Sequence, residues 1–91
     1  MARIMRSRSD LNQAGIVREL RRLGAYVLVV STKAIGCDLL VNFDGSLYMV
    51  EVKQPGHKDD LTEHEEEVKQ MFWPHYLVIE SVYDFYEQVN L

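Results

Sequence analysis

The chain is expected to fold as an α/β domain, a central mixed β-sheet flanked by helices. Three observations lead there. Two runs rich in Leu, Val, Tyr and Phe flank Asp44-Gly45, a dipeptide suited to the positive φ angles of a two-residue hairpin turn. Apolar residues recur at helical spacing before the hairpin (Ile16, Val17, Leu20, Leu23) and again near the carboxyl end (Val82, Phe85, Tyr86, Val89). Between the hairpin and a last apolar run, residues 76–80, lies a polar loop followed by a segment with helix-start signals. The element order is therefore helix, three strands, helix, strand, helix. Joining the hairpin's second strand to the final strand through a helix makes a βαβ unit, expected to be right-handed.

Residues 1–9, with Arg3, Arg6 and Arg8, are read as a flexible basic arm, and residues 10–91 as one domain. Asp10 is placed to cap the first helix with Gln13 three residues on as its partner, and Gly24 to end it. At about 100° per residue Gln13 points into the apolar face, whereas Glu19 falls towards its edge. Ala25 to Ser31 reads as a strand apolar enough to be buried on both faces. After the hairpin, Gln54 to Asp60 is a polar loop, and Thr62 with Glu65 forms a capping box for the second helix. The acidic run Glu63, Glu65, Glu66 and Glu67 is read as solvated helix surface. Trp73-Pro74 stops that helix, and Ser81 caps the final one.

Composition narrows the class. With 47% hydrophobic and 26% charged residues in 91, the chain has the make-up of an ordinary globular domain. No apolar run approaches the ~20 residues that span a bilayer, and no apolar stretch follows the amino-terminal arginines, so neither a membrane nor a secretory signal is expected. The single cysteine, Cys37, rules out an internal disulfide and fits a reducing cytoplasm. Its spacing to His57, His64 and His75 matches no zinc-finger pattern. Net charge is −4, but residues 1–33 hold seven Lys or Arg against two acids, and residues 34–91 three Lys against twelve acids. A basic first helix and arm can meet phosphates, and such asymmetry also occurs in proteins that touch no nucleic acid.

The hairpin carries the chemistry. With Asp44-Gly45 as the loop, Phe43 pairs with Ser46, Val41 with Tyr48 and Leu39 with Val50, and Asp38 falls opposite Glu51. Lys53 shares their face, because strand side chains alternate. Two facing carboxylates repel unless a cation lies between them, and oxygen ligands of this kind suit Mg²⁺ or Mn²⁺. An ammonium beside such an ion can orient water or offset charge on a phosphate. The plainer reading makes Asp38 a strand start and Glu51 and Lys53 solvated positions, although both sit in an otherwise apolar run, Tyr-Met-Val-Glu-Val-Lys.

Gly-Cys-Asp-Leu-Leu-Val, then Asp-Gly, then Val-Glu-Val-Lys resembles the active-site hairpin of the PD-(D/E)xK nuclease superfamily. Asn12-Gln13, Leu61-Thr62 and Trp73-Pro74 resemble its VRR-NUC branch, small stand-alone proteins of phages and bacteria. The resemblance runs from Asp10 onward and implies a restriction-endonuclease-like αβββαβ core plus a carboxyl-terminal helix. It also implies a metal-dependent DNA endonuclease, with Asp38, Glu51 and Lys53 catalytic and Mg²⁺ or Mn²⁺ held by Asp38, Glu51 and the Val52 carbonyl. It implies as well a homodimer acting on branched DNA in the manner of a Holliday-junction resolvase, in the bacterial cytoplasm. Gln13 stands where many members carry a metal-binding Glu; the ligand and capping readings of Gln13 are both open, with Glu19 a second choice. Cys37 stands where Pro is common and is read as packing. Glu65 stands where Gln is common. Arg6, Arg8, Arg21, Arg22, Lys33, Gln54 and Lys58 are the candidates for contact with DNA, Gln54 being equally readable as a turn residue.

Two other classes remain. One is a DNA-binding or assembly module with a decayed site, favoured by Gln13 and the acidic second helix. The other is a small structural α/β domain.

Overall fold

A computed structural model describes residues 8–30 and 33–90, the side chains of 8–11 and 33 excepted. Asp44 and Gly45 turn the chain with φ of 53° and 83°, the paired positive angles that a two-residue hairpin loop needs. The strands on either side, β2 (Leu39–Phe43) and β3 (Ser46–Val52), pair antiparallel in the expected register: Phe43 with Ser46, Val41 with Tyr48, Leu39 with Val50. β1 (Tyr26–Val29) adds antiparallel to β2, and β4 (Tyr76–Ile79) adds parallel to β3. The result is a four-stranded mixed sheet in the order β1-β2-β3-β4.

Three helices flank it: α1 (Arg8–Arg22), α2 (Glu63–Phe72) and α3 (Val82–Val89). α1 is already helical at Arg8, two residues before the expected cap at Asp10, so Asp10 lies inside its first turn. The other two caps form as the sequence implies. Thr62 and Glu65 make a reciprocal capping box on α2, and the Ser81 side chain accepts the Asp84 N–H on α3.

Strand alternation sorts the apolar residues onto two faces. One face buries Val27, Leu39, Val41, Val50, Val52, Leu77 and Ile79 against Ile16, Val17 and Leu20 of α1 and Phe85 of α3. Phe85 is fully buried and meets Phe43 edge-on, ring centres 5.6 Å apart. A buried aromatic of this size contributes about 2–3 kcal/mol. The opposite face carries a smaller cluster of Cys37, Val68 of α2 and Tyr76, with Leu40, Met49 and Val78 packed against it.

β1 departs from expectation. Tyr26, Leu28 and Val29 are 80%, 67% and 50% exposed, and only Val27 is buried. The strand is an edge, and the α2 side of the sheet is covered over β4 rather than over β1. Among the described residues no helix is long and apolar enough to cross a membrane.

Candidate metal and phosphate site

One end of the β2–β3 ladder gathers the acidic residues of the hairpin. The regular pairing stops at Leu39 and Val50. Asp38 follows just outside the paired residues. Its N–H donates to the Val50 carbonyl in β3 at 3.0 Å, while its own carbonyl accepts from Val30 on the other side at 2.8 Å. Asp38 thus sits just before β2, bonded to β3 on one side and to Val30, just past the end of β1, on the other. The Asp38 carboxylate accordingly turns along β3, and its Oδ2 accepts the Val52 N–H at 2.8 Å.

Glu51 is buried, its residue 5% exposed. The Lys53 ammonium reaches its Oε2 at 3.2 Å and reaches Oε1 of Glu65, on the first turn of α2, at 3.4 Å. Glu51 also interacts with the carboxyl groups of both Asp38 and Glu65. Three carboxyl groups thus share one lysine. Burial, then the charge of Asp38, then Glu65 push the Glu51 carboxyl up to about 8, with only Lys53 opposing. Burial likewise raises Asp38, against the pull of the Val52 N–H. For Glu65 burial acts upward too, but the Thr62 N–H, the neighbouring Glu51 carboxyl and the charge of Lys53 outweigh it, and the carboxyl lies below its ordinary range. Lys53 stays cationic: burial lowers its pKa, and Glu51 and Glu65 more than restore it. Among the described residues no buried side-chain nitrogen or oxygen lacks a partner.

The backbone of Lys53 is held from two sides. Its N–H donates to Ile79 at 2.9 Å, and its carbonyl accepts from Asn12 Nδ2 at 3.1 Å; the same amide reaches the Glu80 carbonyl at 3.3 Å. Asn12 therefore ties α1 to the ends of β3 and β4, a role that the sequence does not disclose because its partners lie 41 and 68 residues away. Beside Lys53, a small open cleft of about 270 Å³ is lined by Gln54, His57 and Asp60.

The structure brings Asp38, Glu51, Val52, Lys53 and Gln54 together. Gln13 is half-buried on α1, and among the described residues no hydrogen bond links it to Asp38 or Glu51. Glu19 pairs with Arg22 at 2.9 Å on the exposed side of α1, as its helical position implies. Arg21 donates to the Val27 carbonyl at 2.9 Å. Lys58 is engaged by Asp84, 2.6 Å away. Arg6 lies outside the described residues, as do the side chains of Arg8 and Lys33. Cys37 is buried and its thiol, pushed up to about 11 by burial and then by the charges of Glu51 and Asp38, is packing rather than a nucleophile.

Glu65 is the correction. Expected on a solvated surface, its side chain is only 17% exposed and touches Lys53. The capping box was the available signal, since a cap glutamate folds back towards the helix start and here that start adjoins the end of β3.

Among the described residues no three His, Cys, Asp or Glu side chains form a ready-made cation cage. The donor set that a cation would meet is the pair Asp38 and Glu51, both oxygen ligands. Fold and site define a small α/β domain with an acid-rich, lysine-bearing end to its sheet. Comparisons with protein-family models, curated proteins and solved structures returned no match.

Proposed function

We propose that this chain is a metal-dependent DNA endonuclease. The observation that supports the reading is the meeting of Asp38, Glu51 and Lys53 at one buried sheet end, with Glu51 short of positive charge. A carboxyl raised by its acidic neighbours is relieved when a cation joins them, so the donor chemistry fits Mg²⁺ or Mn²⁺ held by Asp38 and Glu51, with the Val52 carbonyl and Gln13 as further oxygen donors. When bound, such an ion supplies charge against the scissile phosphate and lowers the pKa of water. The chain's own part is positional. Asp38 is aimed by the Val52 N–H, and Lys53, held at its backbone by Ile79 and Asn12, presents a cation where a phosphate or an attacking water would lie.

The motif order resembles that of VRR-NUC proteins, and on that basis we assign branched DNA as substrate, a homodimer as the working unit and the bacterial cytoplasm as its location. The dimer is supported by the open sheet face, where a groove of about 490 Å³ is lined by Tyr26, Leu28, Leu40 and Leu47. A second reading, a DNA-binding module with a decayed site, is favoured by Glu65, an additional acid close to where a phosphate would have to come.

The test is cleavage of labelled four-way junction, flap and linear duplex DNA with Mg²⁺ or Mn²⁺. Glu51→Gln and Lys53→Ala are expected to lower the rate by about 10²–10³-fold or more, with the junction preferred. Binding without cutting by the wild type would favour the decayed-site reading, and neither binding nor cutting would reject both.

A further inference from the structure

We infer that Glu65 is a positioning residue: the cap of α2 also holds Lys53 in place. This rests on the nuclease reading. One carboxylate oxygen, Oε1 of Glu65, accepts the Thr62 N–H at 2.9 Å and lies 3.4 Å from the Lys53 ammonium. The capping box therefore fixes the same atom that meets the lysine. Val68, one turn on and on the same side of the helix, is 3% exposed. It lies so close to Gly36 that a Cβ there would stand 2.7 Å from its Cγ2, and Gly36 adopts φ +76°. This contact sets the rotation of α2 and keeps Glu65 turned to the sheet end. His64 adds a second tie, its Nε2 lying 2.9 Å from the Ala34 carbonyl.

The consequence is chemical. Lys53 has two carboxylate partners, but Glu51 is also the group needed by a cation. Glu65 is the partner that Lys53 keeps when the Glu51 oxygens are engaged, and that contact keeps the ammonium directed. A helix start at the end of the βα loop is thus coupled to the orientation of the catalytic lysine.

Three variants separate this role from simple capping. Thr62→Ala removes the hydroxyl that caps Glu65 N–H but leaves the Thr62 N–H and the Glu65 carboxylate. Glu65→Ala removes cap and lysine contact together, and Glu65→Gln keeps the cap acceptor without the charge. Two readouts are taken: kcat and KM for junction cleavage, and the Nζ resonance of Lys53 in ¹⁵N-lysine protein, readable because the chain has four lysines (Lys33, Lys53, Lys58, Lys69). Both cap losses are expected to lower the melting temperature. Only Glu65→Ala should lower kcat, by about 10–100-fold, with KM unchanged and the Lys53 ammonium signal lost to exchange. Glu65→Gln should recover part of both. An unchanged ammonium signal in Glu65→Ala overturns the inference, as does an equal fall of kcat in Thr62→Ala. If the wild type cuts nothing while the signal is lost in Glu65→Ala alone, the nuclease reading fails and the Glu65–Lys53 hold stands.

Discussion

Two lysines five positions apart on this chain meet carboxylates in opposite ways. Lys58 lies 2.6 Å from Asp84, which also accepts from the Glu80 N–H at 3.0 Å and from Gln88 at 3.0 Å. Burial would raise the Asp84 carboxyl, but Lys58, Gln88 and the Glu80 N–H hold it below its ordinary value. Lys53 serves Glu51 and Glu65 at once, beside Asp38, and Glu51 rises to about 8. One carboxylate has more donors than it needs; the other shares one cation with two further acids. The first arrangement ties a loop to a helix. The second leaves an unmet demand for positive charge, the condition under which a metal or a phosphate-handling group would be expected to act. Proteins tolerate such frustration where function uses it.

The comparison is most exposed to Asp84→Ala. Removing that carboxylate strands the Lys58 ammonium, the Glu80 N–H and the Gln88 amide, and should destabilise the fold by about 2–3 kcal/mol in urea titration, leaving kcat for the proposed DNA cleavage unchanged. A loss of activity without a loss of stability would reverse the two roles.

Glu51→Gln should do the opposite in the metal-free protein, stabilising it by about 1–2 kcal/mol at pH 8. The gain depends on pH. The folded carboxyl titrates near 8 and the unfolded one at its ordinary 4.5, so between those values the folded state holds a proton that the unfolded state has lost. Wild-type stability due to this group is complete below pH 4.5 and is lost as pH rises towards 8. Denaturation at a series of pH values should show the wild-type and Glu51→Gln curves meeting near pH 4.5 and diverging upward. Asp84 contributes the reverse limb: its stabilisation is present above 3.8 and is lost as pH falls below that value, so Asp84→Asn should flatten only the acid end.

The smallest effect is expected at Cys37. Its thiol, pushed up to about 11, is protonated and buried at neutral pH, so alkylation of the folded protein should be slow, and Cys37→Ala should cost about 1 kcal/mol with the proposed cleavage intact. Rapid alkylation at pH 7 would show that the cluster of Cys37, Val68 and Tyr76 opens.

How much of this was legible without a structure follows from distance along the chain. The hairpin register, the turn at Asp44-Gly45, the caps at Thr62 and Ser81 and the apolar stripe of α1 rest on neighbours a few residues apart, and steric limits on φ together with side-chain periodicity decide them locally. That Asp38, Glu51 and Lys53 share one sheet end follows from the same register. The turn of Asp38 towards the Val52 N–H could not be read, because it depends on hydrogen bonds to Val50 and Val30 at once. Exposure of β1 was misread because its apolar residues do not say which face a helix covers; the protein's placement of α2 over β4 decided that. Glu65 meets Lys53 across 12 residues, Lys58 meets Asp84 across 26 and Asn12 meets Lys53 across 41. Sequence alone determined the hairpin with its turn and the starts of α2 and α3, since those are short-range matters of sterics and hydrogen bonding. Tertiary structure alone decided which lysine would be satisfied and which shared, since that depends on how many carboxylates packing brings within reach of one ammonium.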